Sequence, residues 1–137
     1  MELRYENAWN GNGWLYGRVN RLLAEMNQPQ VRRPPAEVIE DKDQYRFFFE
    51  MPGLRSESID VRVEGDTLLV AAERKRPEWA QDAEVHVAEL AYGQFKRAFS
   101  LPEDAATDAI RASYKDGILE VSVSKRPEAK PVKVQVN

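Results

Sequence analysis

Residues 45 to 51 read Tyr-Arg-Phe-Phe-Phe-Glu-Met, so Tyr45, Phe47, Phe49 and Met51 fall on one side of an extended chain and Arg46, Phe48 and Glu50 on the other. The same period of two returns at Ile59, Val61 and Val63 against Asp60, Arg62 and Glu64. Each run predicts a strand with one apolar face. Gly65-Asp66 separates the second run from "TLLVAAE", and Asp116-Gly117 separates "IRASYK" from "ILEVSVS". Both are two-residue hairpin loops in which glycine takes the positive φ that the turn needs. Short strands joined by polar turns, with no long helix between them, predict an all-β antiparallel sandwich over residues 37–125.

Three other stretches have a different texture. In the arm and hinge of residues 1–36, Leu15, Tyr16, Val19, Leu22, Leu23 and Met26 recur at helical spacing, which predicts an amphipathic helix of about three turns. "PQVRRPPAE" follows as a hinge that cannot continue a helix through Pro34 and Pro35. Between Arg74 and Phe95 the connection is too long to be structureless in a compact domain. A strand is expected there over "AEVHVAE", with Val85 and Val87 on one side, and on so long a tether it can pair with a second subunit. The extension of residues 126–137 ends in "KPVKVQVN", where Val132, Val134 and Val136 alternate with polar residues. A solubility tail does not need that pattern; a strand seeking a sheet edge does.

Composition narrows the chemistry. The 137 residues suffice for one core and no more. A net charge of -3, from 20 basic and 23 acidic residues, gives no positive field to recruit nucleic acid. The chain has no cysteine, which removes disulfides and thiolate metal sites and makes a reducing, cytoplasmic setting the expectation. No apolar run is long enough to span a bilayer, so stable membrane insertion is not expected. Phosphate-loop, nucleophile-elbow and zinc-protease motifs are missing. Gly11-Asn12-Gly13 with Gly17 has the wrong spacing for a dinucleotide fingerprint, and no strand is predicted before it. A single histidine, His86, would have to anchor any triad or zinc site; Glu103, Asp104 and Asp108 fall where turns are expected. No enzyme, cofactor or metal is expected.

Three motifs carry a family resemblance: the Met51-Pro52-Gly53-Leu54 turn, the strand Tyr92-Gly93-x-Phe95-x-Arg97-x-Phe99-x-Leu101-Pro102, and Ala112 followed by Asp116-Gly117-Ile118-Leu119. Together, Glu50–Lys75 and Tyr92–Lys125 resemble the α-crystallin domain of the small heat shock proteins, in order and over about two thirds of the chain. The resemblance implies an immunoglobulin-like sandwich and ATP-independent holding of unfolding client proteins, with refolding passed to ATP-dependent chaperones. It also implies dimers formed by exchanging the strand on the long loop, with Trp79, Val85, Val87 and Arg97 at the dimer interface. Arg97 has a second reading as a surface strand cation.

Members of that family end in an I-x-I/V motif that adds to a groove on a neighbouring dimer, and Val134-Gln135-Val136 looks like it, with Val132-Lys133-Val134 as the alternative register. By the same resemblance the groove lies between the strand of Ile59, Val61 and Val63 and that of Ile110, Ala112 and Tyr114. Valine in place of isoleucine forfeits about 0.8 kcal/mol per buried methylene, so larger assemblies are expected to be labile. Trp9, Trp14, Leu15, Tyr16, Val19, Leu22, Leu23 and Met26 supply apolar area for client capture or for packing inside the oligomer. Two rivals come from other classes: a monomeric co-chaperone adaptor of the p23 type, and a carbohydrate-binding sandwich using Trp79 and Tyr92. Native mass separates them, since both rivals predict a monomer.

Overall fold

Strands form where the alternation lies, in a computed structural model that describes residues 31–127 and 134–137. In chain order they are β1 (Val31–Arg32), β2 (Ala36–Glu40), β3 (Gln44–Glu50), β4 (Ile59–Glu64), β5 (Thr67–Arg74), β6 (Gly93–Ser100), β7 (Ala105–Lys115) and β8 (Ile118–Lys125). They make two four-stranded sheets, ordered β1-β6-β5-β4 and β2-β3-β8-β7. Every pairing is antiparallel except the short one of β1 with β6. The helix expected over Leu15 to Met26 lies outside the described residues, and so do Trp9, Trp14 and Val132.

The core is the sum of the inward faces. Tyr45, Phe47, Phe49 and Met51 from one sheet meet Leu68, Val70, Phe95 and Phe99 from the other, all buried, with Leu119, Val121 and Val123 of β8 beside them. The Phe99 ring lies 5.5 Å from that of Phe47 and 6.0 Å from that of Phe49, tilted in both cases, which is the geometry aromatic quadrupoles favour. On β4 the apolar positions Ile59, Val61 and Val63 are only half-buried, because among the described residues no strand lies beyond them.

Both expected hairpins form with the backbone their residues permit. Asp116 and Gly117 have φ of 53° and 78°, the two left-handed positions of a type I′ turn, and Gly65 has φ of 61° at the first position of its turn. Gly117 has a second reason to be glycine. A Cβ there would sit 3.3 Å from both Cα and Cβ of Pro52, and the Gly117 carbonyl accepts the Met51 N–H at 2.8 Å. The Asp116-Gly117 turn is thus packed on the Met51-Pro52-Gly53-Leu54 turn.

Two connections differ from expectation. The proline hinge is not outside the sandwich: Val31 and Arg32 pair with Gln94 and Phe95, Pro34 is fully buried, and the Pro35 carbonyl accepts the Glu50 N–H at 2.9 Å. The segment crosses from one sheet to the other and then pairs as β2. Proline suits a crossing because it has no N–H to leave unpaired there. Conversely, residues 75–92 form no strand, and Trp79, Val85, Val87 and Leu90 are exposed. A strand requires a neighbouring edge for its backbone groups, and among the described residues none pairs with that segment.

Candidate functional site: an open cleft between edge strands

β4 ends one sheet and β7 the other, so among the described residues each has one side without a strand partner. Between them runs a cleft of about 390 Å³, lined by Val61, Arg62, Val63, Thr107, Asp108, Ile110 and Ala112. Four of the six groove residues expected from the sequence therefore line it: Val61, Val63, Ile110 and Ala112. Ile59 and Tyr114 do not. Tyr114 is committed elsewhere, its hydroxyl donating to the Met51 carbonyl at 2.6 Å and standing 3.4 Å from the Leu54 N–H, which pins the turn below the cleft.

Sequence reasoning missed the polar members. Thr107 and Asp108 reach the cleft because β7 is irregular: Ala105 pairs with Lys125 and Ile110 with Val123, so β7 advances five residues while β8 advances two. The extra residues bulge out of the ladder, and no pattern of two marks where that happens. Arg62 comes from the outer face of β4, where it is held by Asp60 at 2.7 Å and more loosely by Glu64 at 3.5 Å. All three side chains are more than half exposed, so these pairs set geometry and charge and contribute little to stability.

The cleft's expected occupant is also open to solvent. Val134 is 78% and Val136 91% exposed. Neither valine is covered by the described residues of its own chain.

A second apolar surface lies on the long loop. Arg76, Trp79, Val85, Val87, Leu90 and Tyr92 help to line a hollow of about 140 Å³, and the Arg76 guanidinium stands 5.4 Å from the Tyr92 ring centre. Arg97 is not beside them as a surface cation. It is buried, its Nη1 donates to the Pro34 carbonyl at 3.1 Å, and its guanidinium lies 5.0 Å from the centre of the Phe99 ring. The pattern contained this answer, for Phe95, Arg97 and Phe99 fall on one face at a period of two, and that face is inward. His86 is exposed on the loop. Among the described residues no cluster of His, Cys, Asp and Glu is arranged to hold a metal ion, and no helix is long and apolar enough to cross a membrane.

The root of the tail is fastened. Lys125 Nζ pairs with Glu40 at 2.7 Å and lies 5.1 Å from the centre of the Tyr45 ring; Tyr45 donates to Asp104 Oδ1 at 2.6 Å; the Arg126 N–H donates to the Asp104 carbonyl at 2.6 Å. The hydrogen bond to Glu40 holds the Lys125 pKa above its ordinary value. Burial, then the bond to Asp104, pushes the Tyr45 phenol well above its usual range. Nearby, the N–H groups of Asp43 and Gln44 hold the Asp41 carboxyl below its ordinary value. Glu103 and Asp104 thus belong to a turn whose acid is used structurally.

Comparison with known proteins gives a consistent result. A model of the Hsp20/alpha crystallin family matches residues 37–137. The chain is 41% identical over 134 residues to the 17.3 kDa class II heat shock protein of Solanum peruvianum, covering 97% of this chain and 81% of that protein. It is 35% identical over 114 residues to spore protein SP21 of Stigmatella aurantiaca, covering 83% and 68% respectively. The crystal structure of a small heat-shock protein from Xylella fastidiosa, described as having a distinct high order structure, superposes with a TM-score of 0.67 at 31% identity, over 76% of this chain and 95% of that one.

Proposed function

Because the chain belongs to the Hsp20/alpha crystallin family of small heat-shock chaperones, we propose that it is a holdase, which binds unfolding proteins and prevents their aggregation without ATP. The observation that carries this reading is apolar surface left uncovered in three places on one small domain: the cleft, the long loop and the tail valines. Monomeric proteins rarely expose so much unless it is for binding. In our reading two of these surfaces serve assembly. Residues 83–89 of the loop become a strand on the free side of β2 in a second copy, giving a dimer with Trp79, Val85 and Val87 at its interface. The tail valines enter the cleft of a neighbouring dimer by strand addition, where main-chain bonds give affinity and side-chain pockets give register.

Client capture is assigned to the arm, whose Trp9, Trp14, Leu15, Tyr16, Val19, Leu22, Leu23 and Met26 offer apolar area without a fixed shape. Assembly covers this area and dissociation releases it. The weak valine anchors let that happen below the temperature at which the sandwich melts. Such a protein works in the cytoplasm and passes its clients to ATP-dependent chaperones. The test is light scattering from a client that aggregates on heating or reduction. The purified chain suppresses scattering near one subunit per client with no nucleotide present; no suppression at several-fold excess, or suppression only with ATP, removes the assignment.

A further inference from the structure

The two lips of the cleft carry the same residue type at the same place. Arg62 stands between Val61 and Val63 on β4, and Arg111 between Ile110 and Ala112 on β7. Strand alternation turns both side chains away from the face that the apolar residues present to the cleft, and both are exposed. On β4 the arginine is bracketed on its own face by Asp60 and Glu64, which pair with it. From this we propose that the cleft selects its tail by the residue between the two apolar anchors. The occupant is then Val134-Gln135-Val136 of a second copy, and Val132-Lys133-Val134 is rejected. This rests on the tail-docking reading above.

A strand laid along either lip sets its two valines beside Val61 and Val63, or beside Ile110 and Ala112. The residue between the valines then faces an arginine directly, whichever lip is used and whichever way the strand runs. Directly opposed side chains lie about 4.5–5.5 Å apart at Cβ, and like charges there destabilise the pair. Lys133 at the centre would put a cation against Arg62 or Arg111. Gln135 at the centre is neutral, and its amide oxygen can accept from a guanidinium. On β4 the same register sets Lys133 opposite Asp60 or Glu64, according to strand direction, and both are acids. On β4 the acids Asp60 and Glu64 already hold Arg62, at 2.7 and 3.5 Å, so the repulsion of a central lysine falls chiefly on Arg111 of the β7 lip. The inferred ligand class is an apolar-x-apolar segment with an uncharged or acidic residue at x.

Sedimentation of the full chain over a dilution series tests the register. Val134 is an anchor in both registers, so Val134→Glu reports on docking alone: it converts larger assemblies to dimers, and if it keeps the wild-type mass the docking reading itself fails. Given that result, Val136→Glu dissociates the assemblies as well and Val132→Glu leaves their mass unchanged. Gln135→Lys raises the concentration of half-dissociation by up to about fivefold, and adding Arg62→Gln with Arg111→Gln removes that shift. Dissociation by Val132→Glu, a wild-type mass for Val136→Glu, or tighter assembly with Gln135→Lys overturns the proposal while leaving tail docking in place.

Discussion

The crossing at residues 33–35 and the loop at residues 75–92 both join strands of this sandwich, and they end in opposite conditions. The first is short, rich in proline and charge, and lies against the core with its carbonyls bonded to Arg97 and to the Glu50 N–H. The second has the alternating valines of a strand, yet it presents Trp79, Val85 and Val87 to solvent. Local composition would have assigned them the other way round. What separates them is whether the same chain supplies partners: β6 offers its edge to Val31 and Arg32, and Arg97 reaches Pro34, whereas among the described residues no free edge pairs with residues 83–89. A buried segment needs its backbone groups satisfied; in the reading proposed above, residues 83–89 find their partners in a second copy.

The largest effect should come from cutting the tie that makes the crossing part of the sandwich. Arg97→Ala removes a buried charged donor from the Pro34 carbonyl and the guanidinium from above Phe99; it should cost about 2–3 kcal/mol in denaturant unfolding. That corresponds to a melting temperature lower by roughly 10 °C or more for a domain of this size. Hydrogen exchange should rise first at residues 31–36. A loss below about 0.5 kcal/mol would place Arg97 outside the fold's support and leave it only the role at an interface.

A smaller loss is expected where the tail root is fastened. Tyr45→Phe deletes the bond to Asp104 and should cost about 1 kcal/mol near neutral pH. The pH dependence has a definite sign. The folded pKa values of Tyr45 and Lys125 both lie above their unfolded values, so the stabilisation they give is complete below about pH 10 and is lost as pH rises beyond it. The wild-type melting temperature should therefore fall above about pH 10, and more gently in Tyr45→Phe; equal slopes in the two proteins would remove Tyr45 as a cause. At the acid end Asp41, whose folded pKa is lowered, gives stabilisation that is present above its unfolded value and is lost as pH falls below about 4.

The smallest effect on the single chain, and the sharpest contrast with Arg97, belongs to the loop. Val85→Asp with Val87→Asp should change the stability of the dilute monomer by no more than about 0.5 kcal/mol, since both side chains are already exposed. The same variant should remain monomeric at concentrations where the wild type is dimeric. A destabilised monomer would show that the loop serves its own sandwich.

Much of this was legible in the sequence where a period of two met a one-sided core. Tyr45, Phe47, Phe49 and Met51 point inward as their spacing requires, and the Asp116-Gly117 hairpin has the backbone its glycine predicts. The family resemblance, and not the alternation, pointed to Val61, Val63, Ile110 and Ala112, which line the cleft. Thr107 and Asp108 were not legible, because a bulge in β7 breaks the count of two. Tyr114 follows the apolar periodicity of its strand, but hydrogen bonds to a turn 60 residues away in the chain decide where its hydroxyl goes. For Arg97, the spacing from Phe95 and Phe99 put it inside, while its charge suggested the surface cation that its burial rules out. The parallel pairing of Val31 and Arg32 left no mark, being too short to show alternation at all.

The central claim is that residues 83–89 and the cleft lip at β4 are surfaces completed by further copies of the chain, while residues 31–36 are completed from within. Hydrogen–deuterium exchange followed from dilute monomer to assembled protein tests it in one experiment. The account predicts that residues 31–36 are protected at every concentration. Residues 83–89 should gain protection as dimers form, and residues 59–64 only as larger assemblies appear. Assemblies that form while residues 83–89 and 59–64 exchange as fast as they do in the monomer would contradict it.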